Sequence, residues 1–412
     1  MSELTPVQDK EQVSLCHAVG RVLAEDIRAP FAVPHFPKSA MDGYAVRSAE
    51  VQGAAPEQPV RLRVTGEILA GDEPAPVQPE GTAIRIMTGA AVPEGYDAVV
   101  KQEDTDYGET EVTVYRGVSA YTNYCRVGED MEKDSVVLTA GQRIGRVEAG
   151  ILASLGISQV KVVRPVRAVI LSTGSELCDP VSPEQPEADQ GRKTQEAESS
   201  SAAAGAPPAG KIYSSIAATI TAGLPEAGFS VESRIIPDET DQILQAVEQA
   251  LETADVVITT GGVSVGKRDL LPEVLERIGA KQIFARVDVQ PGTPTIGSVK
   301  DGKAILSLSG NPYAALVNFD LYFWDMAAKL TGCRAYLPVW EEAVLVSEYL
   351  KKNQHRRLVR ARVSQGQVTL PAKSHAASVL SNLMDCNCYL DLPAGQQVSV
   401  GDRVRILRMP GC

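Results

Sequence analysis

Three short segments of this chain combine small residues with hydroxyl, amide or carboxylate groups, and each follows an apolar run of the kind that forms a buried strand. After VRAVIL comes Ser172-Thr173-Gly174-Ser175-Glu176; after ADVVI comes Thr259-Thr260-Gly261-Gly262-Val263-Ser264-Val265-Gly266; after KAILSL comes Ser309-Gly310-Asn311-Pro312. At the carboxyl ends of parallel strands the backbone turns into helices whose free N–H groups attract anions, and glycine lets main-chain donors come close to an oxyanion. Each loop alone reads as a structural turn. Together they predict one shared site for a phosphorylated ligand. GGVSVGKRD lacks the residue order of a Walker loop and no GxGxxG follows a first strand, so neither of those nucleotide folds is implied.

Carboxylates add a second kind of chemistry. Glu176 and Asp269 lie in these loops, and Asp238 follows the apolar pair Ile235-Ile236. An acid beside phosphates is unfavourable unless a cation lies between them, and Mg²⁺ joins one or two protein carboxylates to substrate phosphates. Taken singly, each of the three reads equally well as a helix N-cap.

Such loops need a sheet to present them. From Val166 to about Thr331, strand-like runs alternate with helical ones (SIAATITAGLPEAG, DQILQAVEQALET, LLPEVLERIG), which predicts a parallel sheet covered by helices on both faces over 166–331. Residues 179–210 interrupt it. They are rich in Pro, Glu, Ser and Ala, with almost no large apolar residue, and read as a flexible insertion. Upstream, 46–141 carries short alternating runs (RLRVTG, TAIRIM, EVTVYR) and reads as a β-rich inserted domain. On either side of it, the apolar spacing over Lys10–Ala24 predicts an opening helix, and GRVEAGILASLG predicts another, stopped by Gly156. Those helices assign 1–45 and 142–165 to one split helical domain. The last part, 332–412, returns to short strands (RLVRARV, QVTL, VGDRVRILRM) and reads as a C-terminal β-barrel.

A length of 412 residues exceeds one ordinary core and agrees with several domains. The formal charge of −12 repels nucleic acid and anionic membranes, so neither is an expected partner. MSELTPVQDKEQ lacks the basic and apolar segments of a signal peptide, and seven scattered cysteines fit free thiols in a reducing compartment; the expected location is cytoplasmic. Of these, only Cys386 and Cys388 sit close enough to suggest a soft-metal pair, and no second pair accompanies them.

Read together with Pro37-Lys38-Ser39-Ala40-Met41-Asp42-Gly43-Tyr44-Ala45, the loops resemble the molybdopterin molybdenumtransferase family, bacterial MoeA and the C-terminal domain of gephyrin. The likeness runs through SAMDGYA, GEILAGD, IRIMTGAAVPEGYDAVVKQED, the GED of Gly128–Asp130, STGSEL, TTGGVSVG and SGNP, in that order along nearly the whole chain. The resemblance implies an α/β multidomain protein: a split helical domain, a β-rich inserted domain, a pterin-binding α/β domain and a C-terminal barrel. It also implies a homodimer in which one subunit's inserted domain completes the other's site, with contact to other molybdopterin-pathway proteins open. The implied substrates are adenylylated molybdopterin and molybdate, with Mg²⁺ as the cation.

By the same resemblance, Asp42, Thr88 and Asp130 would serve catalysis from the inserted region. Glu176, Asp238 and Asp269 would be the catalytic and metal-holding acids of the crest. Thr173, Gly174, Ser175, Gly261, Gly262, Ser264, Pro291, Gly292, Pro294, Gly310, Asn311 and Pro312 would hold pterin and phosphate, joined by Arg362 and Ser378 from the barrel. The chain departs from the family at Val289-Gln290-Pro291-Gly292-Thr293-Pro294, where two lysines are usual, and after Ile212-Tyr213, where Ser214-Ser215-Ile216 replaces an Asp-x-Asn. Lys267 and Arg268 stand where an acid and an aromatic are usual. Either they restore the lost charge to a working enzyme, or the chain is a non-catalytic pterin-binding paralogue or scaffold.

Overall fold

Six strands form the central sheet: Arg167–Thr173 (β1), Ser230–Ile236 (β2), Val256–Thr260 (β3), Lys281–Ala285 (β4), Ile296–Lys300 (β5) and Lys303–Leu308 (β6), in the order β2-β1-β3-β6-β5-β4. The structure, a computed structural model, describes residues 2–179, 205–225, 227–263, 270–349, 354–371, 376–377 and 379–410. Most of the 179–210 insertion, and with it the flexibility expected there, therefore lies outside the described residues. Strands β2, β1, β3 and β6 are parallel, whereas β5 runs antiparallel to β6 and β4. The sheet is thus mixed, not wholly parallel as the sequence reading has it. Asp301-Gly302 is the cause: both residues have positive φ, 50° and 77°, and an Asp-Gly pair in that conformation closes a tight hairpin between β5 and β6.

Alternation along the strands separates two cores. Ala168, Ile170, Ile258 and Leu306 face helices Ser215–Gly223 (α1) and Pro312–Thr331 (α4), meeting Ile220, Phe319 and Phe323. Val169, Leu171, Val257 and Ile305 face Thr240–Thr253 (α2) and Leu270–Arg277 (α3), meeting Ile243, Val247, Leu271 and Val274. Each fully buried side chain of this size contributes about 1.5–3 kcal/mol. Helix α4 is bounded as its sequence dictates: the Asn311 side chain accepts from the Ala314 N–H, Pro312 opens the first turn, and Gly332 ends it at φ 71°.

The C-terminal part closes on itself. Strands Trp340–Leu345 (β7), Arg356–Ser364 (β8), Gln367–Thr369 (β9), Cys388–Leu392 (β10) and Arg403–Arg408 (β11) pair in the order β8-β9-β7-β11-β10, and β10 pairs back to β8. The five strands thereby form a barrel without a free edge. Cys386 and Cys388 are buried within it, and burial pushes their thiols up, Cys388 to about 12. They pack as small apolar groups, not as a metal pair.

In the inserted part, Ala98–Lys101, Gly43–Val46, Thr82–Ile86, Val60–Ile68 and Glu111–Val114 make a five-stranded sheet in that order. The expected opening helix over Lys10–Ala24 does not form. Lys10–Ser14 instead pairs antiparallel with Gln159–Val163, followed by a 3-10 turn at Leu15–His17. Gly20, at φ 86°, would interrupt a helix there, and Val13, Leu15, Ala18 and Leu23 find their burial against Leu152, Val160 and Val162. The second helix forms at Arg146–Ser154, with the Glu148 carboxylate accepting from the Gly145 N–H at 2.9 Å. Among the described residues no helix is long and apolar enough to cross a membrane.

Candidate functional site

Register brings the three loops together. Ser172 stands opposite Thr260 and Thr260 opposite Leu308, so β1, β3 and β6 end side by side, with Ile236 of β2 beside Thr173. The buried hydroxyls tie the ends: Thr173 Oγ1 donates to the Thr260 carbonyl at 3.3 Å, and Thr260 Oγ1 lies 3.1 Å from Ser172 Oγ. Gly261 is required here. Its φ is +92°, and a Cβ would lie 2.6 Å from the Thr173 carbonyl oxygen.

A cleft of about 330 Å³ opens over these ends, lined by Thr173, Gly174, Glu176, Asp238, Gly261, Gly262, Gly310 and Pro312 among the residues singled out from sequence. Ser175 and Asp238 latch the first loop to the end of β2. The Ser175 N–H donates to Asp238 Oδ2 at 3.2 Å, and the Asp238 N–H donates to Ser175 Oγ at 3.4 Å. Asn311 caps α4 from below, so its amide oxygen is occupied by the Ala314 N–H. The N-termini of α1, at Ser214-Ser215, and of α4, at Pro312, both line the cleft. The positive ends of two helix dipoles thus face one space and favour an anion there, although in α4 Pro312 has no N–H and the Ala314 N–H is taken by Asn311.

Against that field stand two carboxylates. Glu176 and Asp238 are both exposed on the cleft wall. Hard oxygen donors of this kind suit a divalent cation such as Mg²⁺ when a phosphate supplies further ligands. Asp269, Ser264, Lys267, Arg268 and Ser378 lie outside the described residues. Among those described, no group of three or more His, Cys, Asp or Glu could hold a metal without a ligand's help.

Other expected residues sit elsewhere in the chain. Asp42 accepts from both the Thr88 N–H and the Thr88 hydroxyl, each at 2.7 Å, and those bonds, the backbone one first, hold its carboxyl below the usual range. Asp130 donates its N–H to the Val33 carbonyl at 3.0 Å and keeps an exposed side chain. Arg362 is exposed on β8, its guanidinium 3.5 Å from the Asp385 carbonyl. None of these lines the cleft of its own chain.

The Pro291-Gly292-Thr293-Pro294 loop lies against α4 and the barrel. Val289–Gln290 pairs with the start of β8, and the Asn318 amide donates to the Pro291 carbonyl at 3.1 Å. Gly292 has φ +101°, and a Cβ would fall 1.7 Å from Asn318 Nδ2.

One wall enters the sequence reading only through the family resemblance, where Ser214-Ser215-Ile216 replaces an Asp-x-Asn. A short parallel pair, Leu177–Cys178 with Ile212–Tyr213, carries Ile212 to Ile216 onto the cleft, and Lys211 Nζ donates to the Ser175 carbonyl at 2.8 Å. The serines before the apolar run of α1 were a helix-start signal that could have placed this wall at the site. A larger cavity of about 620 Å³ lies at the seam of α4 and β11, between Trp324, Tyr336 and Arg408, away from all three loops.

A central α/β sheet that gathers glycine-rich loops and helix N-termini over one acid-bearing cleft, joined to a β-rich insertion and a closed barrel, defines a multidomain protein with an anion-accepting crest. Comparison with known proteins narrows this class. Residues 1–156 match the MoeA N-terminal region (domain I and II), 169–328 a probable molybdopterin binding domain, and 342–409 the MoeA C-terminal region (domain IV). A molybdopterin molybdenumtransferase of Staphylococcus epidermidis is 33% identical over 387 residues, 93% of this chain and 87% of that protein. One from Staphylococcus aureus is 32% identical over 389 residues, with the same coverage of 93% and 87%. The crystal structure of a molybdopterin biosynthesis MoeA protein from Pyrococcus horikoshii superposes with a TM-score of 0.80 at 26% identity, covering 99% of this chain and 97% of that one. The chain belongs to the molybdopterin molybdenumtransferase (MoeA) family, enzymes of molybdenum-cofactor biosynthesis.

Proposed function

We propose that the chain binds adenylylated molybdopterin and molybdate in the crest cleft and inserts molybdenum into the dithiolene with release of AMP, as a cytoplasmic homodimer. The observation that carries this reading is the convergence of the Thr173–Glu176, Thr260–Val263 and Ser309–Pro312 loops with the N-termini of α1 and α4 over Glu176 and Asp238.

Molybdate and a phosphoanhydride are both anions, and their mutual repulsion requires donors fixed before they arrive. The backbone N–H groups of Gly262 and Gly310 and the first turn of α1 would supply those donors, the Gly261 N–H being held by the Leu308 carbonyl at 3.0 Å. Glu176 and Asp238, with Asp269 from the adjoining loop, would hold Mg²⁺, whose charge polarises the scissile anhydride when bound. Ser175 fixes Asp238 through the two reciprocal bonds of the latch, so the acid meets the cation in one orientation. Hydrolysis adds water across the anhydride, leaving AMP and the pterin phosphate and releasing two protons when both products are fully ionised.

Asp42, held ionised by Thr88, would enter from the partner subunit, which accounts for its distance from the cleft of its own chain. Lys267 and Arg268 would replace the charge absent at Gln290 and Thr293. Purified protein incubated with adenylylated molybdopterin, molybdate and Mg²⁺ should yield AMP and molybdenum-loaded pterin in equal amounts. Tight pterin binding without AMP release would favour the non-catalytic paralogue.

A further inference from the structure

The barrel reaches the anion loop through one buried cation. Arg360 on β8 is fully buried, and among the described residues no carboxylate pairs with it. Leaving a guanidinium inside a protein without a counter-ion is costly unless its donors are satisfied and its face is covered. The face of the guanidinium is covered and both terminal nitrogens find carbonyls, while Nε has no hydrogen-bond partner among the described residues. Its Nη1 donates to the Val379 carbonyl, its Nη2 to the Ala376 carbonyl at 2.8 Å, and its Cζ lies 3.7 Å from the centre of the Tyr313 ring.

Tyr313 is the link. It directly follows Pro312 in the first turn of α4, and its hydroxyl returns to the barrel, donating to the Leu358 carbonyl at 2.9 Å. One side chain therefore joins the barrel segment around Ala376–Val379 to the turn whose preceding residues, Ser309, Gly310 and Pro312, form the cleft floor. Arg362, two residues along β8, reaches the Asp385 carbonyl at 3.5 Å, at the end of the 3-10 turn Ser381–Asp385 that follows.

We infer that Arg360 is a positioning residue for the reaction: its guanidinium, clamped between the Tyr313 ring and two barrel carbonyls, fixes the first turn of α4 and hence the anion loop. It touches no substrate. The role rests on the reading of the cleft as the pterin-phosphate site, and it deepens that reading by making the barrel a support of phosphate binding. A planar fork is needed to serve two carbonyls and one ring together, so lysine replaces it only in part. A loosened loop weakens substrate and transition state alike, which raises KM and spares kcat.

Arg360→Met and Arg360→Lys test this by two readouts. Hydrogen exchange followed by mass spectrometry should rise at least tenfold in peptides covering Ser309–Ala315 for Arg360→Met and less for Arg360→Lys, while strands β1 and β3 keep wild-type protection. In turnover of adenylylated molybdopterin, KM should rise about tenfold in Arg360→Met and be partly rescued in Arg360→Lys, with kcat within about twofold of wild type. Wild-type exchange in Ser309–Ala315 overturns the inference whatever the activity. Should Arg360→Met not fold, wild-type exchange and KM in Arg360→Lys overturn it equally. Altered exchange in variants of a protein that never turns over would instead refute the proposed reaction and leave the clamp standing.

Discussion

Replacing Asp320 with asparagine should stabilise the protein at pH 8 and change little at pH 4. Asp320 lies on α4 facing the barrel, buried, and accepts from the Tyr389 hydroxyl at 2.7 Å and from the Trp324 indole N–H at 3.4 Å. Among the described residues no cation pairs with it, and burial pushes its carboxyl up to about 6 from the usual 3.8, more than those two bonds pull it down. Because the folded-state value is the higher one, the protonated form favours folding. That contribution is complete below about pH 4 and is lost as the pH rises through about 6. At about 1.4 kcal/mol for each tenfold change in proton affinity, the ionised carboxylate costs the fold roughly 3 kcal/mol above pH 7. An amide keeps an oxygen for Tyr389 and carries no charge, so Asp320→Asn should gain roughly 1–3 kcal/mol at pH 8. Urea unfolding of both proteins at pH 4 and pH 8, followed by tryptophan fluorescence, measures the difference with all other titrations cancelling. A variant that is less stable at pH 8, or displaced equally at both values, would refute the reasoning.

Glu176→Gln and Asp238→Asn should each lower the rate of AMP release at least a hundredfold without lowering the melting temperature, since both side chains are exposed on the cleft; near wild-type turnover in both removes them from the site. Gly292→Ala should destabilise by roughly 2 kcal/mol or more, because a Cβ 1.7 Å from Asn318 Nδ2 adds a clash to the strain of φ +101°, and denaturant midpoints read the loss. Thr88→Ala should raise the Asp42 carboxyl toward its ordinary value by removing one of the two bonds that depress it, as followed by NMR titration; an unmoved titration would leave the backbone bond alone responsible.

The crest was legible because strand-end loops announce themselves locally. Thr173–Glu176, Thr260–Val263 and Ser309–Pro312 each follow an apolar run, and adjacency of the strands in one register was enough to bring them together. Misreadings arose where a distant partner decided the outcome. Val13 and Leu15 satisfy both a helical and an alternating pattern, and the availability of Gln159–Val163 for pairing chose the strand. The hairpin at Asp301-Gly302 did carry a local signal, outweighed in the reading by the βαβ alternation on either side. The wall formed by Ile212–Ile216 was marked only by the family resemblance and by the helix-start serines, and the pairing with Leu177–Cys178 is what brings it to the cleft. Arg360 gave no signal at all. Its burial depends on Tyr313 and on two carbonyls far along the chain.

The crest cleft is the proposed place where the adenylate is broken and molybdenum delivered. Single-turnover mixing of adenylylated molybdopterin, molybdate and Mg²⁺ with wild-type protein and with the Glu176→Gln, Asp238→Asn double variant tests it most directly. Wild type should release one AMP and form one molybdenum-loaded pterin per active site, while the double variant still binds the adenylate but releases no AMP on that timescale. AMP release by the double variant at the wild-type rate would contradict the claim.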